Sequence, residues 1–326
     1  MIQVGIACAP YLRDIARGKE HPRDLTRDAA RTLWGAVLSG AITDLELGAV
    51  LVAMRIKGEA PEEIAGFLDA CNDENLRLAL PPSGLVPVII PSYNGARKLP
   101  NLTPLLAILL ARAGLPVLVH GKVTDSDAAP GAVHAGRTTT AEILCALGFP
   151  AARHADDIAR QLARGEPAFV PIQILNPALA RVLALRRVLG VRNSAHSLVK
   201  MLQPFAGPAL RLASYTHPEY HAMLSAYYRD HAPATAGDVL LARGTEGEAV
   251  ANARRAAAIE WFHQGTVTTV AEAETGSVTE LPSLPDSHDA VATARWIQAV
   301  LAGERPVPEA IARQVEIIVR VVGRMR

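Results

Sequence analysis

The sequence predicts an α/β fold: a small N-terminal helical domain followed by a larger α/β domain with a central, mostly parallel sheet flanked by helices. Residues 24–75 read as a succession of helices, and Pro81 to Gly84 has the composition of a linker. After the linker, short apolar strands alternate with helices, which indicates a parallel sheet covered on both faces. We therefore predict a helical domain over 1–80 and an α/β domain over 81–326, with a later helical segment near 177–190 joining the first domain.

Composition is that of a globular protein. Half of the 326 residues are hydrophobic and 20% are charged, so the chain can bury a substantial core. Lys and Arg number 33 against 32 Asp and Glu, which gives a formal net charge of +1. A generic nucleic-acid binder is more basic, so a nucleic-acid function requires the positive charge to be clustered.

Three cysteines, Cys8, Cys71 and Cys145, have no paired spacing, and we expect them to fill core or helix positions. The N-terminus lacks a basic segment followed by an apolar run, and the apolar run from Leu102 to Leu110 is too short to cross a bilayer. We expect a cytoplasmic protein with no cofactor and no membrane partner.

In the first domain, Thr43 and Glu46 form a capping-box pattern that opens a helix running through Met54 and ending near Lys57-Gly58. Pro61 suits the first turn of the next helix, over 62–71. In the second domain the predicted strands are 86–90, 115–119, 168–172, 210–215, 239–242 and 266–271. The predicted helices there are 102–113, 140–147, 155–163, 177–189, 219–229, 289–301 and a last one from Pro308.

Ligands of parallel sheets bind beyond the carboxyl ends of the strands. The loops 91–101 and 120–139 must emerge at that edge. The first loop carries Arg97 and Lys98 beside a turn-forming Asn94-Gly95 pair, and the second begins with His120 and Lys122. These loops predict a phosphate-binding site made of basic side chains.

Charge is segregated along the chain. Between residues 86 and 124 there are four basic residues and no acid, and between 160 and 211 there are eight basic residues and one acid, Glu166. Such segregation creates a local positive field that attracts phosphates even when net charge is small. Individual arginines can equally be solvated or paired with distant carboxylates.

Four segments carry a family resemblance: Pro91 to Lys98, Val191 to His196, His217 to Tyr220 and Gly244 to Glu248. Three N-terminal segments, Arg23 to Asp28, Thr43 to Gly48 and Met54 to Glu59, are similar to the helical domain of the anthranilate phosphoribosyltransferase family, and the four segments above resemble its YbiB branch more closely. The resemblance implies the fold predicted above, and for the YbiB branch it implies binding of nucleic acid instead of transferase chemistry.

The transferase motifs are altered in this sequence. The glycine-rich phosphate loop of the enzymes is replaced by Pro91 to Ala96, which keeps one glycine, and their magnesium-binding Asp-Glu pair falls on Ala249-Val250. Neither residue can ligate a hard cation, which requires oxygen donors. His120, Gly121, Asn101 and Arg192 stand at family positions.

We therefore expect a sequence-independent binder of single- or double-stranded nucleic acid, with no catalytic residues and no metal, and a homodimer formed through the N-terminal helices. Tyr93 is a candidate for stacking on a base. The expected binding residues are Asn94, Arg97, Lys98, His120, Lys122, Arg186, Arg187, Arg192, Lys200, Arg320 and Arg324.

Two other functions stay open at this stage. The first is a phosphoribosyltransferase acting on a small aromatic or nucleobase acceptor, which the retained family positions favour. The second is a binder of small phosphorylated ligands, which would bind a mononucleotide about as well as a longer strand.

Overall fold

The computed structural model describes residues 6–18, 22–124, 136–276 and 282–325. Its N-terminal helices are α1 Ala9–Ile15, α2 Arg27–Ser39, α3 Asp44–Lys57 and α4 Pro61–Glu74. The predicted capping box is confirmed at the start of α3. The Thr43 N–H donates to Glu46 Oε2 at 2.9 Å and the Glu46 N–H donates to Thr43 Oγ1 at 3.3 Å.

A second group of helices packs on this bundle: α8 Ile172–Leu175, α9 Pro177–Ala184, α10 Arg186–Leu189 and α11 Ala195–Leu198. Helix α9 contacts α2 and α4, and Arg181 donates to the carbonyls of Val37 and Leu38 at the end of α2. The single helix predicted over 177–189 is interrupted at Leu185. The Leu185 N–H bonds to the carbonyl of Val182, three residues back, so the helix tightens there.

The second domain is built on a sheet with strand order β3-β2-β1-β4-β5-β6-β7. Strands β1 to β5 pair in parallel, and β6 and β7 extend the sheet as an antiparallel hairpin. The bounds are β1 Val88–Ser92, β2 Val117–Gly121, β3 Ala168–Pro171, β4 Leu210–Tyr215, β5 Val239–Arg243, β6 Ile259–His263 and β7 Thr266–Ala271. The prediction missed β6.

Helices cover both faces of the sheet, as predicted. They are α5 Thr103–Arg112, α6 Thr140–Ala146, α7 Ala155–Ala163, α12 Pro218–Asp230, α13 Ala290–Leu301 and α14 Glu309–Arg324, with a 3-10 turn at Ala234–Ala236. Alternate residues of β1 enter two separate cores. Ile89 packs with the bundle helices, whereas Val88 and Ile90 pack with α5, α13 and α14. In the described part of the chain, no helix combines the length and apolarity needed to span a membrane.

Candidate functional site

The loops that follow β1, β2, β4 and β5 meet at one edge of the sheet, where the carboxyl ends of its parallel strands lie. The loop over 91–101 is at this edge, as predicted. Residues 125–135 of the second predicted loop lie outside the described residues.

The β1 loop has a fixed backbone. Gly95 has φ +64°, and a Cβ atom there would lie 2.7 Å from the carbonyl oxygen of Thr138. The next residue, Ala96, exchanges backbone hydrogen bonds with Thr138 at 3.0 and 2.9 Å. Only glycine fits this turn without strain, because it combines a left-handed conformation with a close backbone neighbour.

A buried carboxylate lies behind the same loop. Glu248 accepts a hydrogen bond from the Gly95 N–H at 2.7 Å and another from the hydroxyl of Ser92 at the end of β1. Burial raises the pKa of Glu248, while its hydrogen bond from Ser92 and the nearby charge of Lys200 act in the opposite direction. The Glu248 carboxylate therefore binds a backbone N–H group of the loop from the interior of the protein.

A second carboxylate accepts hydrogen bonds from three other backbone N–H groups of the loop, those of residues 97–99. Glu246 accepts from the N–H groups of Arg97, Lys98 and Leu99 at 2.7, 2.7 and 2.9 Å. Arg137 lies 3.6 Å from the same carboxylate and also donates to the Gly95 carbonyl at 2.9 Å. Backbone N–H groups of the β1 loop thus bind acidic side chains from the turn after β5.

The Gly247 carbonyl, between the two acids, is a second point of convergence. It accepts from Lys200 Nζ at 3.0 Å, from Asn94 Nδ2 at 3.2 Å and from Ser214 Oγ at 3.2 Å. Partial burial of Lys200 is the main cause that lowers its pKa to about 8. Of the predicted binding residues, Asn94 and Lys200 therefore connect the two loops.

Tyr93, Lys122 and His196 form a packed group beneath the loop. The ammonium of Lys122 lies 5.1 Å from the centre of the Tyr93 ring, and His196 meets that ring edge-on with centroids 5.9 Å apart. Tyr93 is 6% exposed and Lys122 is 5% exposed. In this conformation the Tyr93 ring offers no free face to a base, which corrects the stacking expectation.

His120 is also interior. It is 1% exposed, and neither ring nitrogen has a hydrogen-bond partner among the described residues. Burial lowers the pKa of His120 to about 4, so the ring is neutral at neutral pH. Access to His120 would require movement of the surrounding side chains.

The remaining predicted basic residues are all at least partly exposed. The side chains of Arg97, Lys98, Arg187 and Arg192 are exposed and that of Arg186 is partly exposed. Arg97 and Lys98 make no side-chain ion pair with any acid in the described ranges. Arg320 and Arg324 are exposed on α14. They lie six and ten residues beyond Gln314, which joins α14 to the 249–251 segment by hydrogen bonds.

A cavity of about 490 Å³ adjoins the loops and lies between the two domains. Arg55, Arg192 and Lys200 contribute positive charge to its lining, Glu59 and Glu219 contribute negative charge, and Tyr215 and Tyr220 contribute aromatic surface. Burial lowers the pKa of the Arg192 guanidinium, and the charges of Arg186 and Arg137 lower it further. The mixed charge and aromatic surface of the cavity suit a small aromatic ligand that carries polar groups.

The positions of the enzymes' magnesium pair lie in the core. Ala249 and Val250 are 6% and 3% exposed and belong to the apolar cluster on the α14 side of the sheet. Gln314 fixes this segment by donating to the Ala249 carbonyl at 2.9 Å and accepting from the Ala251 N–H at 2.8 Å. These side chains do not fit a magnesium ion.

Sequence reasoning missed the roles of Glu246, Glu248 and Arg137. Glu246 and Glu248 follow β5, whose carboxyl end lies at the same sheet edge as the β1 loop. This placement could have predicted the contact, because two acidic residues in a loop beside a basic site require a cationic or N–H partner.

Residues 9–74 match a family model described as the helical bundle domain of a glycosyl transferase family. The chain is 42% identical over 304 residues to the uncharacterized protein YbiB of Escherichia coli K12, across 93% of this chain and 90% of that protein. It is 32% identical over 200 residues to anthranilate phosphoribosyltransferase of Methylobacterium nodulans, across 61% of this chain and 54% of the enzyme. The matched region thus spans about half of the length of that enzyme.

Solved structures show the same fold. Anthranilate phosphoribosyltransferase from Saccharomyces cerevisiae in complex with PRPP and Mg superposes with a TM-score of 0.70 at 14% identity, over 98% of this chain and 89% of that one. The enzyme from Thermus thermophilus gives a TM-score of 0.68 at 19% identity, over 96% and 89%. The activity named among these relatives favours the transferase alternative, and none of their names mentions nucleic acid.

Proposed function

The chain belongs to the YbiB family, with the anthranilate phosphoribosyltransferase fold, and we propose that it binds nucleic acid without catalysing a transfer reaction. One observation carries this proposal. The β1 loop bonds its backbone N–H groups to Glu246 and Glu248, while the side chains of Arg97 and Lys98 in the same loop are exposed.

A transferase of this fold needs the loop for a pyrophosphate and needs oxygen ligands for magnesium. Here the loop amides already hold carboxylates, and the negative charge of Glu246 would repel a pyrophosphate at that position. Ala249 and Val250 are buried apolar residues at the metal positions. Both features reduce the affinity for magnesium and phosphoribosyl pyrophosphate.

A polymer of phosphates has different requirements. It is held by many modest contacts from flexible cationic side chains, each of which releases counterions from the nucleic acid. Arg97, Lys98, Arg187 and Arg192 are exposed residues of this type. The proposal requires no backbone cradle, so the occupied loop amides do not oppose it.

The second candidate is the phosphoribosyltransferase that the relatives' names favour. Its structural support is the cavity between the domains, in which Arg192 and Lys200 lie beside Tyr215 and Tyr220 and could bind an aromatic acid. This candidate predicts turnover of phosphoribosyl pyrophosphate that depends on magnesium and on an aromatic acceptor.

One experiment separates the two candidates. Displacement of a labelled polynucleotide is measured with unlabelled polynucleotide, a mononucleotide and phosphoribosyl pyrophosphate with magnesium, and turnover is assayed in the same samples. The proposal predicts displacement by the polynucleotide at far lower nucleotide concentration than by either small molecule, and no turnover. Magnesium-dependent turnover, or equal displacement by the mononucleotide, would overturn it.

We further propose that the protein is a homodimer joined through its N-terminal helices. Leu45, Val52 and Ile56 are exposed, by 85%, 37% and 79%, and their spacing of seven and four residues places them on one face of α3. Two sets of these cationic side chains in one dimer would increase the avidity for a long strand. Light scattering should give twice the chain mass for the wild type and the chain mass for Leu45→Glu/Ile56→Glu; a wild-type monomer would refute the dimer.

A further inference from the structure

Lys200 differs from the other described lysines in its surroundings. Lys57 forms ion pairs with two carboxylates, Lys122 packs against an aromatic ring, and Lys98 is exposed on the β1 loop. Lys200 follows α11 and lines the cavity of about 490 Å³ between the two domains. Among the lysines that the structure describes, it is therefore the one that a ligand in this cavity contacts.

The amine of Lys200 has a neutral partner. Its Nζ donates to the Gly247 carbonyl at 3.0 Å, and it forms no ion pair with an acid of the described ranges. A neutral amine keeps two N–H donors, so the loss of one proton from the ammonium preserves this hydrogen bond. The carbonyl then fixes the position of Nζ, while the lone pair of the neutral amine becomes available to a ligand.

The surroundings of Lys200 also favour the neutral amine near neutral pH. Burial lowers the pKa of Lys200 to about 8; the charge of Glu248 opposes this change, and those of Arg192 and Arg137 add to it. At pH 8 about half of the Lys200 side chains are then neutral, against about 0.3% for a lysine with the ordinary pKa of 10.5. A neutral lysine amine is a nucleophile that forms Schiff bases with carbonyl compounds.

The cavity indicates which carbonyl compound fits. Arg192 and Tyr215 line it together with Lys200, so they can bind an anionic group and a ring of the same ligand. The charge of Arg192 lowers the pKa of the Lys200 amine, so an anionic group bound by Arg192 lies near Nζ. Glu59 and Glu219 also line the cavity and would repel an anion elsewhere in it.

We propose that the Lys200 amine forms a reversible imine with an aldehyde that carries an anionic group and binds in the cavity between the domains. Nζ attacks the aldehyde carbon and a C–N bond forms. The carbonyl oxygen then leaves with both hydrogens of the neutral amine as one water molecule, so the step needs no further reactant. Hydrolysis of the imine reverses the reaction.

Two kinds of molecule carry this chemistry. One is a free aldehyde with a phosphate or carboxylate group. The other is the open-chain sugar of an abasic residue in DNA, whose aldehyde is flanked by phosphates. The second source rests on the nucleic-acid binding proposed above and the first does not, so the imine and the nucleic-acid function can fail separately.

The first arm of the test uses pyridoxal 5′-phosphate and wild-type protein at pH 8. Sodium cyanoborohydride then reduces any imine to a stable secondary amine. Peptide mass spectrometry should find the label on Lys200 at least about tenfold more often than on the exposed Lys98, the internal control. Lys200→Arg keeps the charge, removes the nucleophile and should lose this label. Because both lysines are compared in one wild-type sample, the result does not depend on the folding of the variant.

The second arm uses a single-stranded oligonucleotide with one abasic residue and the same reductant, with an intact strand as the control. A covalent complex mapped to Lys200 would assign the aldehyde to DNA, whereas a label from pyridoxal 5′-phosphate alone would assign the site to a free aldehyde. Anisotropy of the intact strand, measured alongside, reports nucleic-acid binding separately. The proposal is overturned if, in both arms, Lys200 carries no adduct or carries it no more often than Lys98.

Discussion

The carboxylate of Glu248 lies 2.7 Å from the backbone nitrogen of Gly95, and this contact joins two loops 153 residues apart in sequence. Glu248 is 1% exposed, and burial raises its pKa. The folded protein therefore keeps the Glu248 proton to a higher pH than the unfolded chain does. Its contribution to stability falls as the pH rises above the ordinary value of 4.5.

Gly95→Ala should destabilise the protein by more than the cost of placing alanine in a left-handed conformation. The new Cβ would lie 2.7 Å from the Thr138 oxygen at φ +64°, whereas at Gly165, with φ +68°, nothing lies within 4 Å. We expect a loss of about 1 kcal/mol for Gly165→Ala and about 2–4 kcal/mol for Gly95→Ala, measured by urea unfolding. Equal losses would show that the loop can move away from residue 138.

The pH dependence of the unfolding free energy should reflect the titration of Lys200. Its pKa is lowered to about 8 from 10.5, so between these values the unfolded chain holds more protons on Lys200 than the folded protein. The contribution of Lys200 to the free energy of unfolding therefore rises with pH between these two pKa values. Relative to Lys200→Met, the wild type should gain about 2 kcal/mol between pH 8 and pH 10. A wild-type unfolding free energy that does not change between pH 8 and pH 10 relative to that of Lys200→Met would contradict the lowered pKa of Lys200.

Much of the fold follows from local patterns. The strands Leu210–Tyr215 and Thr266–Ala271 and the helix Ala155–Ala163 have the predicted bounds. The first strand is largely apolar, the second is rich in β-branched residues, and the His154 N–H donates to Asp157 at the start of the helix, so local sequence specifies all three. Strand Ile259–His263 mixes polar and aromatic residues, and its pairing with both neighbours in the sheet stabilises it. Such tertiary pairing is not visible in a local window.

The site was predictable only in part. The position of the β1 loop follows from the topology of a parallel sheet, and the exposure of Arg97 and Lys98 follows from their charge. Contacts between distant segments determine two other features of the site. They bury Lys122 against the Tyr93 ring, and they bring the Glu246 carboxylate to three backbone N–H groups. Neither charge nor spacing in the sequence encodes those partners.

Arg97→Ala/Lys98→Ala should weaken polynucleotide binding and leave the fold intact, because both side chains are exposed. If each cation neutralises one phosphate of a single strand, the slope of log affinity against log salt should fall by about 1.4. Arg320→Ala/Arg324→Ala changes the charge equally on α14. If only this second variant loses polynucleotide affinity, the binding surface lies on the last helix.

Restoring the acidic pair of the transferases should not restore a metal site. Ala249→Asp/Val250→Glu places two carboxylates in an apolar cluster, and we expect a loss of several kcal/mol in unfolding free energy. Ala249→Ser/Val250→Thr is the uncharged control and should lose less. Magnesium-dependent turnover by the acidic variant would contradict the account of this segment.

The most direct test of the central claim is the fluorescence anisotropy of labelled single-stranded DNA of several lengths, measured with the wild type across a salt series. A site made of exposed cationic side chains predicts affinity that rises with strand length and falls steeply and linearly in log salt. No binding at low salt, or affinity that does not depend on length, would contradict the claim and make the small-molecule cavity the leading candidate for function.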